Sequence, residues 1–418
     1  MTPSNATGHD EIKEVELPRR DWILLPLISL FTIAVVVGST ELIARHLFPQ
    51  TKKTIYAMVH DSSVAMRGYP NVVCRGSNNH DIPATEYRLN SCGHRTSLGC
   101  GPRSTGVYRM VLVGSSVALG EGVPMEKTIA ALLPKEISQQ TGRKVELYNE
   151  GMWSEVPHVI AQNFNVVQAA NPDMILWVLT PHDITVTPLT LDAENSPQAA
   201  GKGGTAPGQQ AGFLLRLWRR VKESLSTKSV PDTIGELWQH ALDDYGTPPS
   251  VILLQHVLYE SQSQYVKSYL RRGDDDAGFL QAHLSPQWQS FLQAFNTDAA
   301  RVEAQAKAAG VPLVVVLVPS RAQAAMISMG EWPAGYDPYK LGDELRSIIV
   351  SHGGIYADIL PGFRTIPNPE QYYFPVDGHP NTEGHEIIAN LLAKALTNAS
   401  VPALSATSPT QPTPAKVN

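Results

Sequence analysis

Short apolar runs separated by amphipathic segments restrict the fold of this chain more than any other feature. The apolar runs lie at Tyr108–Gly114, Val145–Asn149, Met174–Thr180, Val311–Pro319 and Gly354–Asp358. The amphipathic segments, which we predict to be helices, include Lys127–Gln140, Ala294–Ala309 and Glu383–Leu396. Strands that are apolar on both faces and alternate with helices are typical of a parallel sheet flanked by helices. We therefore predict an α/β fold whose ligand site lies at the carboxyl ends of the strands.

A second constraint is the apolar, uncharged run from Trp22 to about Thr40, which has the length that a bilayer core requires. It begins too far from Met1 for an ordinary cleaved signal, so we predict an uncleaved membrane anchor over residues 22–44. The basic residues that flank it are Arg19 and Arg20 before the run and Arg45, Lys52 and Lys53 after it. The first pair favours a cytoplasmic N-terminus, and the later three weaken that preference. The alternative is a buried helix of a soluble protein.

Composition changes along the chain predict its domain organisation. We divide it into a disordered cytoplasmic N-terminus (1–21), the transmembrane anchor (22–44), a connecting segment (45–105), the main domain (106–397) and a disordered tail (398–418). A helical insertion at about residues 189–288 interrupts the main domain, and we interpret it as a cap on that domain. Within it, Phe213–Leu225 is apolar on one side and basic elsewhere. Such a helix packs on a core, covers an active site or lies on a lipid surface.

Charge and cysteine content exclude some functions. The net charge of -6 argues against nucleic acid as the main partner, because surfaces that bind phosphates are usually basic. The three cysteines, Cys74, Cys92 and Cys100, lack the paired spacing of a zinc site, and we predict no metal and no cofactor. If this region lies outside the cytoplasm, Cys92–Cys100 and Cys74–Cys92 are both open as disulfides, and three reduced thiols are the alternative. The acidic run Asp274–Asp276 is interpreted as solvated.

The run VLVGSSVALGEGV (Val111–Val123) is the first candidate for chemistry. It predicts a strand that ends at Gly114 and a turn that delivers Ser115 and Ser116 just before a helix. A serine at such a turn exposes its hydroxyl and directs its backbone N–H at a developing oxyanion. A phosphate-binding turn or an ordinary tight turn has the same local pattern.

The second candidate is the late run YYFPVDGHPNTEGH (Tyr372–His385). A carboxylate and an imidazole on one loop form the orienting half of a catalytic triad. We predict that Asp377 orients the imidazole of His379, which accepts the serine proton. His385 is an alternative base, or it lies at the start of the closing helix. The alternative for the whole run is an ordinary surface loop that carries Asp and His without a function.

Together these runs resemble the SGNH/GDSL hydrolase superfamily over about Tyr108–Leu396, apart from the insertion. The blocks that carry the resemblance are Gly114-Ser115-Ser116 with Gly120, NEG (Asn149–Gly151), TPHD (Thr180–Asp183) and DGHPN (Asp377–Asn381). The resemblance implies a three-layer α/β/α, flavodoxin-like fold that needs no cofactor. It also implies the roles of the site residues, which are Ser116 as nucleophile, Asp377 and His379 as its partners, and Ser116, Gly151 and His182 as oxyanion-hole donors.

Three positions differ from the family pattern. Ser115 stands where the family has an aspartate, His182 stands where an oxyanion asparagine is expected, and Asp377 and His379 are separated by one residue instead of two. The leading hypothesis is a single-pass membrane protein whose extracytoplasmic (periplasmic) domain is a serine esterase or O-acyl (acetyl) transferase. Its substrate would be an acylated carbohydrate or a lipid ester. The alternative is a catalytically degenerate, membrane-tethered binding or scaffold protein with the same fold.

Overall fold

The computed structural model of this chain describes residue 18 and residues 20–48, 59–61, 66–77, 81–153, 155–186 and 248–405. The predictions for the first 17 residues, for the insertion before residue 248, including Phe213–Leu225, and for the tail beyond residue 405 lie outside these described residues. The remaining predictions are compared with the structure below.

The described chain alternates strands and helices from Tyr108 onward. The strands are β1 (Val59–Asp61), β2 (Met66–Gly68), β3 (Val73–Gly76), β4 (Thr85–Arg88), β5 (Tyr108–Gly114), β6 (Val145–Asn149), β7 (Met174–Leu179), β8 (Leu313–Leu317) and β9 (Ile355–Tyr356). The helices as far as the insertion are α1 (Asp21–Leu47), α2 (Ser116–Leu119), α3 (Ile129–Thr141), α4 (Pro157–Gln162), α5 (Phe164–Ala169) and α6 (Pro181–Thr185). The later helices are α7 (Pro249–Leu258), α8 (Gln262–Tyr269), α9 (Asp274–Ala277), α10 (Pro286–Ala308), α11 (Arg321–Met329), α12 (Lys340–His352) and α13 (Thr382–Ala395).

Five strands form one parallel sheet in the order β6-β5-β7-β8-β9. In the register of this sheet, Leu112 of β5 pairs with Asn149 of β6 and with Leu176 of β7. In order of succession this arrangement is 2-1-3-4-5, which is the flavodoxin-like order. The strand order reverses between β5 and β7, and ligands of such sheets bind beyond the carboxyl ends of the strands at this reversal.

Helices cover both faces of the sheet, which confirms the predicted α/β/α fold. On one face α3 packs against α13, and on the other α10 packs against α4 and α12. Every residue of β7 and β8 is buried, because both faces of these strands contact helices. At the centre, the ring of Trp177 lies 5.7 Å from that of Phe295 on α10. The hydrophobic effect of this burial is the main stabilising contribution to the fold.

Helix α1 is separate from this core. Its most apolar window has a mean hydropathy of 2.3 and contains no buried residue, so it is long and apolar enough to cross a membrane. The bounds of α1 include the predicted anchor, and its exposed side chains, such as Phe31 at 70 %, argue against a buried helix of a soluble protein.

The predicted connecting segment packs on the main domain beside the end of α2. Strands β3 and β4 form an antiparallel pair, and Cys92 is joined to Cys100 by a disulfide, which is one of the two pairings that the sequence leaves open. The guanidinium of Arg95, which is 1 % exposed, donates to the carbonyls of Leu119, Gly120 and Val123. These bonds satisfy a buried cation and fix the chain that follows α2.

The first residues of the predicted tail are ordered, up to the last described residue, 405. A π-helical turn (Leu396–Ser400) and a 3-10 turn (Pro402–Leu404) continue the chain after α13. Val401 and Leu404 are buried in the same core as α13, so apolar contacts order this part of the chain.

Candidate active site

Three side chains that are distant in sequence meet at the carboxyl edge of the sheet. The hydroxyl of Ser116 lies 2.6 Å from Nε2 of His379, and Nδ1 of His379 lies 2.5 Å from Oδ1 of Asp377. The structure therefore brings together the three predicted residues in the order serine, imidazole, carboxylate. With Nδ1–H donating to Asp377, Nε2 is the acceptor that faces the Ser116 hydroxyl.

A tight turn after β5 delivers Ser116 to this position. Gly114 has a φ of 140° and lies so close to β7 that a Cβ would be 2.3 Å from the carbonyl oxygen of Val178, so only glycine fits. Ser116 is the first residue of α2, and its backbone N–H has no preceding turn within the helix to bond. Ser116 lines the cleft, and its hydroxyl is directed at His379.

The loop that carries Asp377 and His379 is held by polar side chains from other parts of the chain. Oδ2 of Asp81 accepts the backbone N–H groups of Val376 and Asp377, both at 2.8 Å. The buried guanidinium of Arg321 donates to the carbonyls of Glu370 and Pro375. These bonds fix the backbone that leads into Asp377 and His379, because a buried donor or acceptor that loses its partner costs free energy.

Burial and nearby carboxylates act in opposite directions on His379. Burial alone lowers the pKa of its imidazole, but the charge and hydrogen bond of Asp377 raise it, and Glu121 and Asp183 add to the increase. The net result is a pKa of about 9. Oε2 of Glu121 lies 3.8 Å from Nε2 of His379 and accepts the indole N–H of Trp153 at 2.9 Å.

A buried carboxylate, that of Asp183, lies near Ser115, the position at which the sequence differs from the pattern that it resembles. The carboxylate of Asp183 accepts the backbone N–H and the hydroxyl of Thr180 at 2.7 and 2.8 Å, which caps α6. Burial raises the pKa of this carboxyl, while hydrogen bonds from Ser115 and Thr180 oppose the increase. A carboxylate therefore contacts the turn before Ser116, although it comes from the loop after β7.

Two of the three predicted oxyanion-hole residues line the cleft, and the third does not. Ser116 and the exposed side chain of His182 line the cleft. Gly151 does not line it, because its N–H donates to Oδ1 of Asn149 at 3.0 Å and its Cα packs against Ala118 and Leu119 of α2. A Cβ on Gly151 would lie 2.7 Å from the backbone nitrogen of Leu119, so the glycine serves a close approach of two backbones. This placement corrects the prediction that the N–H of Gly151 faces the substrate.

The alternative base His385 has a different role. It is 1 % exposed on α13, and its Nδ1 accepts the backbone N–H of Ile129 at 3.1 Å. Burial and the nearby positive groups Arg95 and His379 lower its pKa to about 3. His385 is therefore a neutral acceptor that joins α13 to the start of α3.

The cleft above the triad has a volume of about 570 Å³. Its far wall is formed by aromatic and charged side chains of the described part of the insertion and of the neighbouring α10, which are Tyr265, Tyr269, Arg272, Asp276, Phe279 and Trp288. The sequence identified the triad but not this wall, nor the supporting carboxylates Asp81 and Glu121. No local motif marks these residues, because they come from separate segments that only the fold brings together.

Asp274, the first residue of the acidic run, bonds to the residue that caps α10. Oδ2 of Asp274 accepts the hydroxyl of Ser285 at 2.6 Å, and Ser285 is the N-cap of α10. Within the part of the chain that the structure describes, no group of three or more His, Cys, Asp or Glu is arranged to hold a metal ion.

Comparisons with known proteins add little to this geometry. No family model matches the chain, and no curated protein matches it. The similar solved structures include a crystal structure of TesA, which is 10 % identical and has a TM-score of 0.34. That alignment covers 69 % of this chain and 98 % of the TesA chain. A likeness this distant identifies neither an activity nor a substrate.

Proposed function

We propose that this chain is a membrane-anchored serine hydrolase or O-acyltransferase of the SGNH/GDSL type, which acts through an acyl-serine intermediate. The observation that carries the proposal is the hydrogen-bonded series Ser116, His379 and Asp377, with distances of 2.6 and 2.5 Å. A serine, an imidazole and a carboxylate in this order are recognised as a catalytic triad by geometry and role, not by position in sequence.

In the proposed reaction, the hydroxyl oxygen of Ser116 attacks the carbonyl carbon of an ester as Nε2 of His379 accepts its proton. The tetrahedral oxyanion accepts a hydrogen bond from the backbone N–H of Ser116 and from the imidazole of His182. The C–O bond to the leaving alcohol breaks, and His379 returns the proton to that alcohol. Asp377 stabilises the imidazolium that forms in between. Water or an acceptor hydroxyl then attacks the acyl-Ser116 carbonyl and gives its proton to His379. The bond between the acyl carbon and the Ser116 oxygen breaks, and His379 returns the proton to Ser116.

The acceptor decides between the two activities. Attack by water gives an esterase, and attack by a sugar hydroxyl gives an acyltransferase. The aromatic wall of the cleft suits a carbohydrate or an acyl chain, so we propose an acylated glycan or lipid ester as substrate. The membrane helix and the Cys92–Cys100 disulfide support a catalytic domain outside the cytoplasm, since disulfides persist in oxidising compartments.

A fluorophosphonate probe tests the proposal with the purified full-length chain. We expect covalent labelling of the wild type and of Ser263→Ala, in which an exposed serine on α8 is lost, and none of Ser116→Ala. An activated acetyl donor, supplied with and without an oligosaccharide, then separates the two activities. Formation of acetylated sugar supports the transferase, and unchanged hydrolysis without such a product supports the esterase.

One observation favours a second candidate function, a binding or scaffold protein that keeps the fold without turnover. The N–H of Gly151 is already bonded to Asn149, which leaves the oxyanion hole with one donor fewer than the family pattern implies. Losing one such donor costs roughly a hundredfold or more in rate. Absence of probe labelling in the folded wild type would support this second function and reject the first.

A further inference from the structure

Helix α7, which opens the described part of the insertion, packs along the C-terminal end of the membrane helix α1. Near the start of α7, the backbone N–H of Ser250 donates to Oε2 of Glu41 at 3.2 Å. Near its end, the ring of His256 lies 4.9 Å from that of Phe48, the residue after α1. Because both contacts advance in the same direction along the two helices, α7 runs beside the last turns of α1.

The two contacting helices both carry exposed apolar side chains, which we together call the α1–α7 patch. Its members on α1 are Leu42, Ile43 and Leu47, which are 71, 57 and 56 % exposed, and on α7 Leu254, Val257 and Leu258, which are 55, 62 and 50 % exposed. Helix α7 has the sequence PSVILLQHVL, which contains no Asp, Glu, Lys or Arg. Large exposed apolar side chains that lie together mark a surface that another apolar phase covers.

The position of the patch along α1 indicates which apolar phase covers the patch. The uncharged run Trp22–Thr40 is roughly 28 Å long at about 1.5 Å per residue, which matches the hydrocarbon core of a bilayer. Glu41 and Arg45, which form an ion pair, therefore lie where the hydrocarbon ends. The last turns of α1 and the adjoining α7 lie in the headgroup layer, where apolar side chains and the ends of long polar side chains are both accommodated.

We propose that the α1–α7 patch is a lipid-contacting surface that seats the main domain on the bilayer that α1 spans. The patch is continuous with the membrane helix, which is why a lipid surface, and not a partner protein, is its occupant. This contact does not depend on the proposed catalytic activity. It converts a domain tethered by one helix into one with a fixed orientation at the membrane.

The α1–α7 patch lies next to the candidate active site. Its contact with lipid therefore affects which substrates reach the cleft. Nε2 of His256 on α7 lies 2.6 Å from Oδ1 of Asp81, whose other oxygen holds the backbone of Val376 and Asp377 at the cleft. Two side chains thus separate the lipid-facing helix from the catalytic loop. If the proposed function holds, the substrate is an ester carried by a membrane lipid, because such a molecule reaches the cleft without leaving the bilayer surface.

Site-directed quenching in nanodiscs tests the contact. A background variant, Cys74→Ser, leaves the Cys92–Cys100 disulfide intact, and a single polarity-sensitive fluorophore is attached at Leu254→Cys or Val257→Cys. The matched control is Val350→Cys on α12, an exposed valine (57 %) outside the patch. We expect nitroxide-labelled lipids to quench the patch labels at least threefold more than the control label. Equal quenching overturns the proposal, and so does a blue-shifted patch label that lipids do not quench, because protein would then cover the patch.

Activity assays test the consequence separately. In nanodiscs, Val257→Glu and Leu258→Glu are expected to lower turnover of a bilayer-embedded ester at least fivefold and to leave turnover of a short water-soluble ester within twofold of wild type. Equal effects on both substrates reject the lipid-borne substrate. If the wild type cleaves neither ester while the quenching pattern is as expected, the proposed function fails and the lipid contact stands.

Discussion

The carboxylate of Asp81 accepts the backbone N–H of Asp377 at 2.8 Å, although 296 positions separate the two residues. The side chain of Asp81 is only 2 % exposed, and it bonds to Val376, Asp377 and His256. A residue of the segment between α1 and the main sheet thus fixes the backbone of Asp377, the proposed catalytic carboxylate. Orientation of the imidazole depends on Asp377, so Asp81 is a positioning residue for the triad.

Replacement of Asp81 is expected to slow acylation more than it weakens binding. In Asp81→Ala, two buried N–H groups lose their acceptor, at a cost of about 1–3 kcal/mol each if nothing replaces it. We expect the rate of fluorophosphonate labelling to fall about ten- to a hundredfold, with KM for an ester within about threefold. Asp81→Asn keeps an acceptor oxygen and is expected to recover part of the rate. Labelling of Asp81→Ala at the wild-type rate would show that the loop holds its position without this carboxylate.

The pH dependence of activity is expected to report on Glu121. His379 accepts the serine proton only in its neutral form, so a pKa raised to about 9 places the acid limb of kcat/KM near pH 9. Glu121→Gln removes a negative charge 3.8 Å from Nε2 but keeps an acceptor for Trp153. The imidazolium loses a stabilising neighbour, so the limb moves to lower pH, by about one unit. A pH–rate profile of both forms checks this, and coincident profiles would contradict a role for Glu121.

The main sheet was predictable from sequence because its strands are continuous apolar runs that need no knowledge of partners. The β5, β6 and β7 runs match the structure to within one residue. The signal of helix α11 is weak because its apolar residues are mostly small alanines, and its polar residues Arg321 and Gln323 are buried as well. Helix α12 carries a clear apolar stripe, in which Leu341, Leu345 and Ile349 follow one another at intervals of four residues, so its sequence does predict a helix.

The candidate site also contains residues that the sequence predicts and residues that it does not. Ser116, Asp377 and His379 were predictable because each lies in a short run whose local pattern has a chemical meaning. The pattern around Gly151 misled, because the same glycine that suits an oxyanion hole also permits the close packing of α2 that the structure has. Asp81 and Glu121 carry no local signal, since their contacts with the triad arise only from packing between distant segments.

The lowered pKa of His385, which is buried on α13, implies that acid destabilises the fold. An unfolded histidine has a pKa of about 6.5, and that of His385 in the fold is lowered to about 3, so only the unfolded chain takes up this proton between those values. The free energy of unfolding therefore falls as pH falls through this window, by about 1.4 kcal/mol per pH unit for one proton. His385→Asn keeps a side chain that accepts the N–H of Ile129 and should lose less stability in acid. Denaturant unfolding at pH 7, 5.5 and 4.5 measures both slopes, with the exposed His283→Asn as control.

Placing an aspartate at position 115, where the family that the sequence resembles has one, is expected to harm this protein. Ser115 lies close enough to Asp183 to oppose the increase that burial causes in the pKa of that carboxyl, and both residues are buried, at 7 and 1 % exposed. Ser115→Asp brings two carboxylates together where water is excluded, and a buried charge without a partner costs about 3 kcal/mol or more. Ser115→Asn has nearly the same size without the charge and separates repulsion from overpacking. We expect a lower unfolding temperature for Ser115→Asp than for Ser115→Asn, with a gap that widens from pH 5 to pH 8 as the shared proton is lost, and at least tenfold slower labelling of Ser116. Equal unfolding temperatures of the two variants across this range would mean that Asp183 does not occupy the place of the missing aspartate.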